Sequence, residues 1–80
     1  MRSTQSSAYN ILVNWLISQR LLNGLTQEQL SKKINKPQSY ISKIETFKRR
    51  IDLIETIEIC TSLGVSIKEL INLLAKGKNK

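Results

Sequence analysis

Residues 26–45 read TQEQLSKKINKPQSYISKIE, and this stretch decides the fold. It predicts two short helices with a tight break between them. Thr26 opens the first, and Gln29 stands three residues on. That is the spacing of a reciprocal capping box, in which the Thr hydroxyl accepts from the N3 amide and the Gln side chain reaches back to the cap. Leu30 and Ile34 repeat at i, i+4 and give a narrow apolar stripe. Asn35-Lys36-Pro37 interrupts the pattern, because proline disfavours the α conformation at the residue before it and suits the first turn of a new helix. Ile41 and Ile44 then make the inward side of a second helix, expected over residues 37–46. Its outward side is Gln38, Ser39, Ser42 and Lys43. These are hydrogen-bonding side chains with one charge among them. A solvated helix face ordinarily carries more Glu and Lys, whereas a face that presses against a polar surface has this composition.

Working outward, the rest of the chain predicts three more helices and no strand. Residues 1–6 are Ser/Thr/Gln-rich and expected to be disordered. A first helix is expected over 7–22, with Ala8, Ile11, Leu12, Trp15, Leu16 and Leu22 on its apolar face, closed by Asn23-Gly24. Residues 47–51 read as a loop. Asp52 and Glu55 repeat the capping-box spacing and open a fourth helix, with Ile54, Ile57, Cys60 and Leu63 inward. Ser66 and Glu69 give a third box for a fifth helix to about residue 75, with Ile67, Leu70, Ile71 and Leu74 apolar. Lys76-Gly77-Lys78-Asn79-Lys80 reads as a basic flexible tail. The expectation is a compact all-α domain of five helices over residues 7–75. None of these helices is long enough to be stable alone, so packing must hold them.

Composition narrows the chemistry. Eighty residues make one domain. The chain has no His and a single Cys. It therefore lacks the residues of a typical zinc site or of a Ser-His or Cys-His nucleophile pair. No catalytic residues, metal or cofactor are expected; its carboxylates read as caps, surface or ion pairs. Cys60 has no internal disulfide partner, which fits a reducing cytosol. Residues 11–22 are too short and too polar for a membrane span or signal core, so a cytoplasmic protein with no membrane partner is expected. The net charge is +7. Much of it sits in residues 26–50, where Lys32, Lys33, Lys36, Lys43, Lys48, Arg49 and Arg50 face Glu28 and Glu45. Such a balance suits nucleic acid, an anionic membrane or an acidic protein, and equally a solvated surface.

The spacing of two short helices about a break is that of a helix-turn-helix, here over about residues 26–46. The stretches LTQEQLS (25–31), PQSYISKIE (37–45) and LGVS (63–66), with Glu69-Leu70, closely resemble the lambdoid phage repressor/Cro (XRE-like) DNA-binding domain. The resemblance covers about residues 12–71. It implies that the third helix enters the major groove, with Gln38, Ser39, Ser42 and Lys43 at base edges. The side-chain chemistry agrees: Gln pairs with adenine, Lys donates to guanine, and Ser serves either. It also implies backbone phosphate contacts from Lys48, Arg49 and Arg50, with Lys36 and Tyr40 as weaker candidates. Gln27, at the start of the second helix, suits a phosphate oxygen and could brace Gln38. Arg20 and Glu45 match positions that form a structural ion pair between the first and third helices. Two residues depart from the family's pattern. Pro37 stands where Ser or Thr usually caps the third helix. Phe47 stands where Gly often closes it in a left-handed turn, a conformation Phe does not adopt cheaply.

The leading expectation is a sequence-specific double-stranded DNA-binding regulator of transcription. It would act as a repressor and a dimer on a palindromic operator, with Ile71, Leu73 and Leu74 as candidate dimer interface. The alternatives are an antitoxin that holds a toxin partner and a controller of a restriction–modification operon.

Overall fold

The computed structural model describes residues 6–78, with side chains through Lys76. The helices are α1 (Ser7–Leu22), α2 (Gln27–Lys33), α3 (Tyr40–Glu45), α4 (Leu53–Leu63) and α5 (Ile67–Lys78), with no strand among the described residues. The chain is thus all-α with five helices. α1 packs against α5 and α3, and α2 packs against α3. α5 runs past the expected residue 75, so Lys76 is helical rather than part of a tail. The expectations for residues 1–5 and 79–80 lie outside the described residues; Ser6 caps α1 by accepting from the Tyr9 amide at 3.1 Å.

Two of the expected capping boxes are in place. The Thr26 hydroxyl accepts from the Gln29 amide at 3.0 Å, and the Thr26 amide donates to Gln29 Oε1 at 2.8 Å. Asp52 and Glu55 do the same for α4, at 2.8 and 3.1 Å. Ser66 differs. Its hydroxyl accepts from the Lys68 amide at 3.1 Å, while the Glu69 amide donates to the Ser66 carbonyl, so the N3 donor is satisfied by backbone instead of a box.

The inward faces of α1 and α4 are rotated from those expected. On α1 the buried residues are Tyr9, Val13, Leu16 and Arg20, and Leu22 is 79 % exposed. On α4 they are Thr56, Ile59, Cys60 and Leu63, while Ile54 and Ile57 face outward. Both true stripes follow the i, i+3, i+4, i+7 spacing, but each contains a polar residue that a hydrophobicity count rejects. The polar atoms are hydrogen-bonded. The Thr56 hydroxyl donates to the Asp52 carbonyl at 2.8 Å, and the Tyr9 hydroxyl accepts from the Ile51 amide at 3.1 Å. Burial pushes the Cys60 thiol pKa upward, as expected for an inert core cysteine.

α3 begins later than expected. Pro37-Gln38-Ser39 forms a turn, in which the Tyr40 amide donates to the Pro37 carbonyl at 2.9 Å. Ser39 occupies the cap position with no side-chain hydrogen bond to the helix. The cap is supplied from the neighbouring helix: Ser31 of α2, fully buried, accepts from the Ile41 amide at 3.0 Å. A donor that α3 cannot satisfy itself is thereby paired, and the start of α3 is tied to the middle of α2.

Each of the first four helices ends on a residue of positive φ: Gly24, Asn35, Phe47 and Gly64. In each case the next amide reaches back five residues, Leu25 to Arg20, Lys36 to Ser31, Lys48 to Lys43 and Val65 to Cys60, at 2.8–3.2 Å. These are Schellman closures. Phe47, at φ 63°, pays the usual penalty of about 1–2 kcal/mol for a left-handed L-residue. What offsets it is packing. The ring is half-buried against the core and meets Tyr9 edge-on, with centroids 6.0 Å apart.

Two substitutions test these closures. Ser31→Ala is expected to lower the unfolding free energy by about 1–2 kcal/mol in urea denaturation, because it leaves the Ile41 amide buried and unpaired. A loss below about 0.5 kcal/mol would remove the trans-helix cap from the account. Phe47→Gly and Phe47→Ala both lose the ring, but Gly also relieves the backbone. The Gly variant is therefore expected to be the more stable of the two by about 1 kcal/mol, the reverse of their order at an ordinary helical position.

Candidate nucleic-acid interface

Glu45, the last residue of α3, is the acceptor on which three elements converge. Arg20 of α1 donates to it twice, Nε to Oε2 at 2.7 Å and Nη2 to Oε1 at 3.0 Å. Arg20 Nη1 donates to the Leu25 carbonyl at 2.7 Å, which satisfies the loop before α2. Gln27 Nε2, in the first turn of α2, donates to Glu45 Oε1 at 2.8 Å. The ion pair is nearly dry, with side chains 10 % and 6 % exposed. Such a pair fixes geometry more surely than it adds net stability, but losing one partner would strand a buried charge. The Gln27 side chain is thus committed to Glu45 and does not brace Gln38. A carboxylate is the stronger acceptor.

With α2 and α3 so fixed, Gln27, Glu28, Gln38, Ser39 and Ser42 line one open cleft of about 470 Å³. Gln38 and Ser39 are exposed and Ser42 is half-exposed. They present side-chain donors and acceptors outward while Ile41 and Ile44 hold the opposite face in the core. Lys43 lies one turn beyond Ser39 and is also exposed. Glu28 of the cleft went unread as a functional residue because a carboxylate in the first turn of α2 is fully explained by the helix dipole.

The basic residues gather around aromatic rings. Lys36 Nζ lies 5.4 Å from the centre of the Tyr40 ring and the Arg49 guanidinium 4.8 Å from the same ring. The Arg50 guanidinium lies 4.1 Å from the Tyr9 ring. Tyr40 itself is in the core, 6 % exposed, and its hydroxyl is buried without a well-formed hydrogen bond. Burial first, and then the nearby Glu55 carboxylate, push its pKa up to about 12, so it stays protonated. Arg49 donates to both oxygens of Glu55, Nη2 to Oε2 at 2.8 Å and Nη1 to Oε1 at 3.1 Å. The hydrogen bond from Arg49 holds the Glu55 carboxyl down at about 2. Lys48 is exposed in the same loop. This second ion pair leaves no mark in the residue pattern, because the capping role of Glu55 already explains its carboxylate.

The proposed dimer residues are on the outer side of α5: Ile71 is 55 % and Leu73 39 % exposed, and Leu74 is half-buried. The outer stripe of α4, with Leu53, Ile54 and Ile57 at 65, 63 and 40 %, is a further exposed apolar surface. Among the described residues there is no cluster of ligands suited to a metal ion, and no helix long and apolar enough to cross a membrane.

Comparison with known proteins places this arrangement. The helix-turn-helix family model HTH_3 matches residues 16–70. No curated protein matches the chain. Among solved structures, it is similar to an XRE-family-like protein from Pseudomonas syringae pv. tomato str. DC3000, with 33 % identity over 88 % of each chain and a TM-score of 0.80. It is similar also to the wild-type restriction–modification controller protein C.Esp1396I, with 30 % identity, 95 % of this chain and 100 % of that one covered, and a TM-score of 0.79. A third structure holds the tetramer of that controller in complex with its natural 35 base-pair operator, again at 30 % identity over 95 % and 100 % of the two chains, with a TM-score of 0.77. With the family model spanning most of the chain and the bihelical geometry in place, the protein belongs to the XRE family of helix-turn-helix proteins.

Proposed function

We propose that the protein is a sequence-specific double-stranded DNA-binding regulator of transcription that represses as a dimer on a palindromic operator. The observation that carries this reading is the cleft between α2 and α3. Its lining of Gln27, Glu28, Gln38, Ser39 and Ser42 is polar, outward and held by a buried ion pair, with cations around it. Gln38, Ser39, Ser42 and Lys43 read base edges in the major groove. Glu28 adds an acceptor suited to the cytosine amino group. Lys36, Lys48 and Arg50 meet backbone phosphates, which supply affinity rather than choice. The Gln27 main chain suits a phosphate at the edge of the cleft. Tyr40 acts through the cations that its ring collects rather than by direct contact. No step of catalysis is involved; the mechanism is occupancy of a DNA site.

Dimerisation rests on the exposed apolar side chains. Ile71 and Leu73 of α5, with Leu74 beneath them, supply the surface for a second copy, and Leu53, Ile54 and Ile57 of α4 extend the apolar area available. Two copies related by a two-fold axis would present two α3 helices to successive major-groove faces about 34 Å apart. The likeness to a controller protein whose tetramer was solved on its operator favours a finer role of the same kind, control of a restriction–modification operon.

The test is a comparison of DNA targets. Sequences selected from a random duplex pool are expected to contain a palindrome. Gln38→Ala or Lys43→Ala is expected to weaken binding to that palindrome by about tenfold, equivalent to about 1.4 kcal/mol of lost discrimination, with little change on random DNA. Equal losses on both targets would show that these side chains do not read sequence. Failure to enrich any sequence would move the assignment to a protein-interaction module.

A further inference from the structure

Arg49 presents a contradiction that the DNA-binding reading leaves open. It stands in the basic loop beside the first residue of α3, where a phosphate contact is wanted. Yet both of its terminal nitrogens are engaged. Nη1 donates to the Arg50 carbonyl at 2.9 Å and to Glu55 Oε1, and Nη2 donates to Glu55 Oε2. Glu55 Oε1 also accepts from the Asp52 amide at 3.1 Å, so the carboxylate belongs to the α4 cap as well. Beside it, the Tyr40 hydroxyl is buried and unpaired. Its neighbour, the Glu55 carboxylate, already accepts three hydrogen bonds, two from Arg49 and one from the cap amide.

The pair is open on one side, with Arg49 40 % exposed and Glu55 17 %. A bidentate pair with a largely buried carboxylate holds more firmly than an open surface ion pair, so only an equally good acceptor reached from the exposed Arg49 side can take the guanidinium. A phosphate offers the guanidinium the same two-point geometry as the carboxylate. Lys36, on the same Tyr40 ring, already brings a second cation to that place. If Arg49 leaves, Glu55 does not stand bare, because the Asp52 amide still donates to it and the Tyr40 hydroxyl is within reach to do so.

We propose that Glu55 is a positioning residue that holds Arg49 in reserve. In the free protein its carboxylate neutralises the guanidinium. On DNA, Arg49 passes to a backbone phosphate and Glu55 takes the Tyr40 hydroxyl in its place. This rests on the DNA-binding reading above and adds a cost to it. The freed carboxylate lies close to the phosphates, so the exchange limits non-specific affinity in an otherwise strongly basic chain. Arg49 neutralises one phosphate while the freed Glu55 carboxylate leaves one negative charge beside it, so the contact releases close to no net DNA counterion and adds little to the salt dependence.

Removal of the carboxylate charge exposes the exchange. Binding of a fluorescein-labelled 30-mer duplex is followed by anisotropy as a function of salt for the intact chain and for Glu55→Gln, Glu55→Gln with Arg49→Ala, and Glu69→Gln. Gln keeps an acceptor for the Asp52 amide, and Glu55→Ser, with the Asp52 cap on the backbone amide retained, serves where E55Q does not fold. E55Q is expected to bind about fivefold tighter at low salt, and its slope of log K against log salt to steepen by about 0.9, one phosphate contact. Adding Arg49→Ala is expected to abolish both gains. E69Q, with the same change of net charge on exposed α5, is expected to shift affinity less than about twofold. An unchanged slope in the Glu55 variants, or a gain that survives Arg49→Ala, would overturn the exchange while leaving DNA binding intact. Absence of DNA binding by the parent chain would overturn both.

Discussion

α3 cannot be a helix on its own account. It spans Tyr40–Glu45, far below the length at which an isolated helix is stable, and lacks a side-chain cap of its own. It is held at both ends by side chains from other helices. At its start, the Ser31 hydroxyl of α2 takes the Ile41 amide. At its last residue, Arg20 of α1 and Gln27 of α2 take the two oxygens of Glu45. Between these points Ile41 and Ile44 are sealed in the core. The outer positions are thereby released from any duty to stability, which is why Gln38, Ser39, Ser42 and Lys43 carry no core side chain and can be given over to recognition.

The loop after α3 follows the same logic. Phe47 accepts a strained backbone so that its ring can meet Tyr9, and Tyr9 in turn takes the Ile51 amide and lies under Arg50. Arg49 ties the loop to the α4 cap through Glu55. The basic residues of this region are therefore not a loose charged run. Arg49 and Arg50 are placed by aromatic rings, and Arg49 by a carboxylate as well. Placement of charge before a ligand arrives lowers the entropy lost on binding.

Much of this was legible from residue types and spacing. The helix boundaries of α1, α2 and α4 follow from caps and stop signals, because Thr26-Gln29, Asp52-Glu55, Gly24 and Gly64 act within a few residues of themselves. What the sequence concealed is long-range. The inward stripe of α1 includes Arg20, whose burial depends on Glu45, 25 residues away. The missing cap at Pro37 could be seen, but its replacement by Ser31 could not, since Ser31 reads as one more polar residue of α2. Glu55 was hidden by its own capping role, although a carboxylate has acceptor capacity for a cap and an arginine at once. Resemblance to the XRE family marked Gln27, Gln38, Ser39 and Ser42 among its candidate DNA contacts, and the fold supplied the reason that these four share one cleft.

With both ends held by neighbouring helices, α3 is locked before any DNA arrives. Amide hydrogen exchange of the free protein measures this directly. The Ile41 and Ile44 amides are expected to exchange only through global unfolding, with protection equal to that of Ile59 in α4. Protection at Ile41 far below that of Ile59, as in a fraying single-turn helix, would show that α3 is not held by its neighbours and is ordered by its ligand instead.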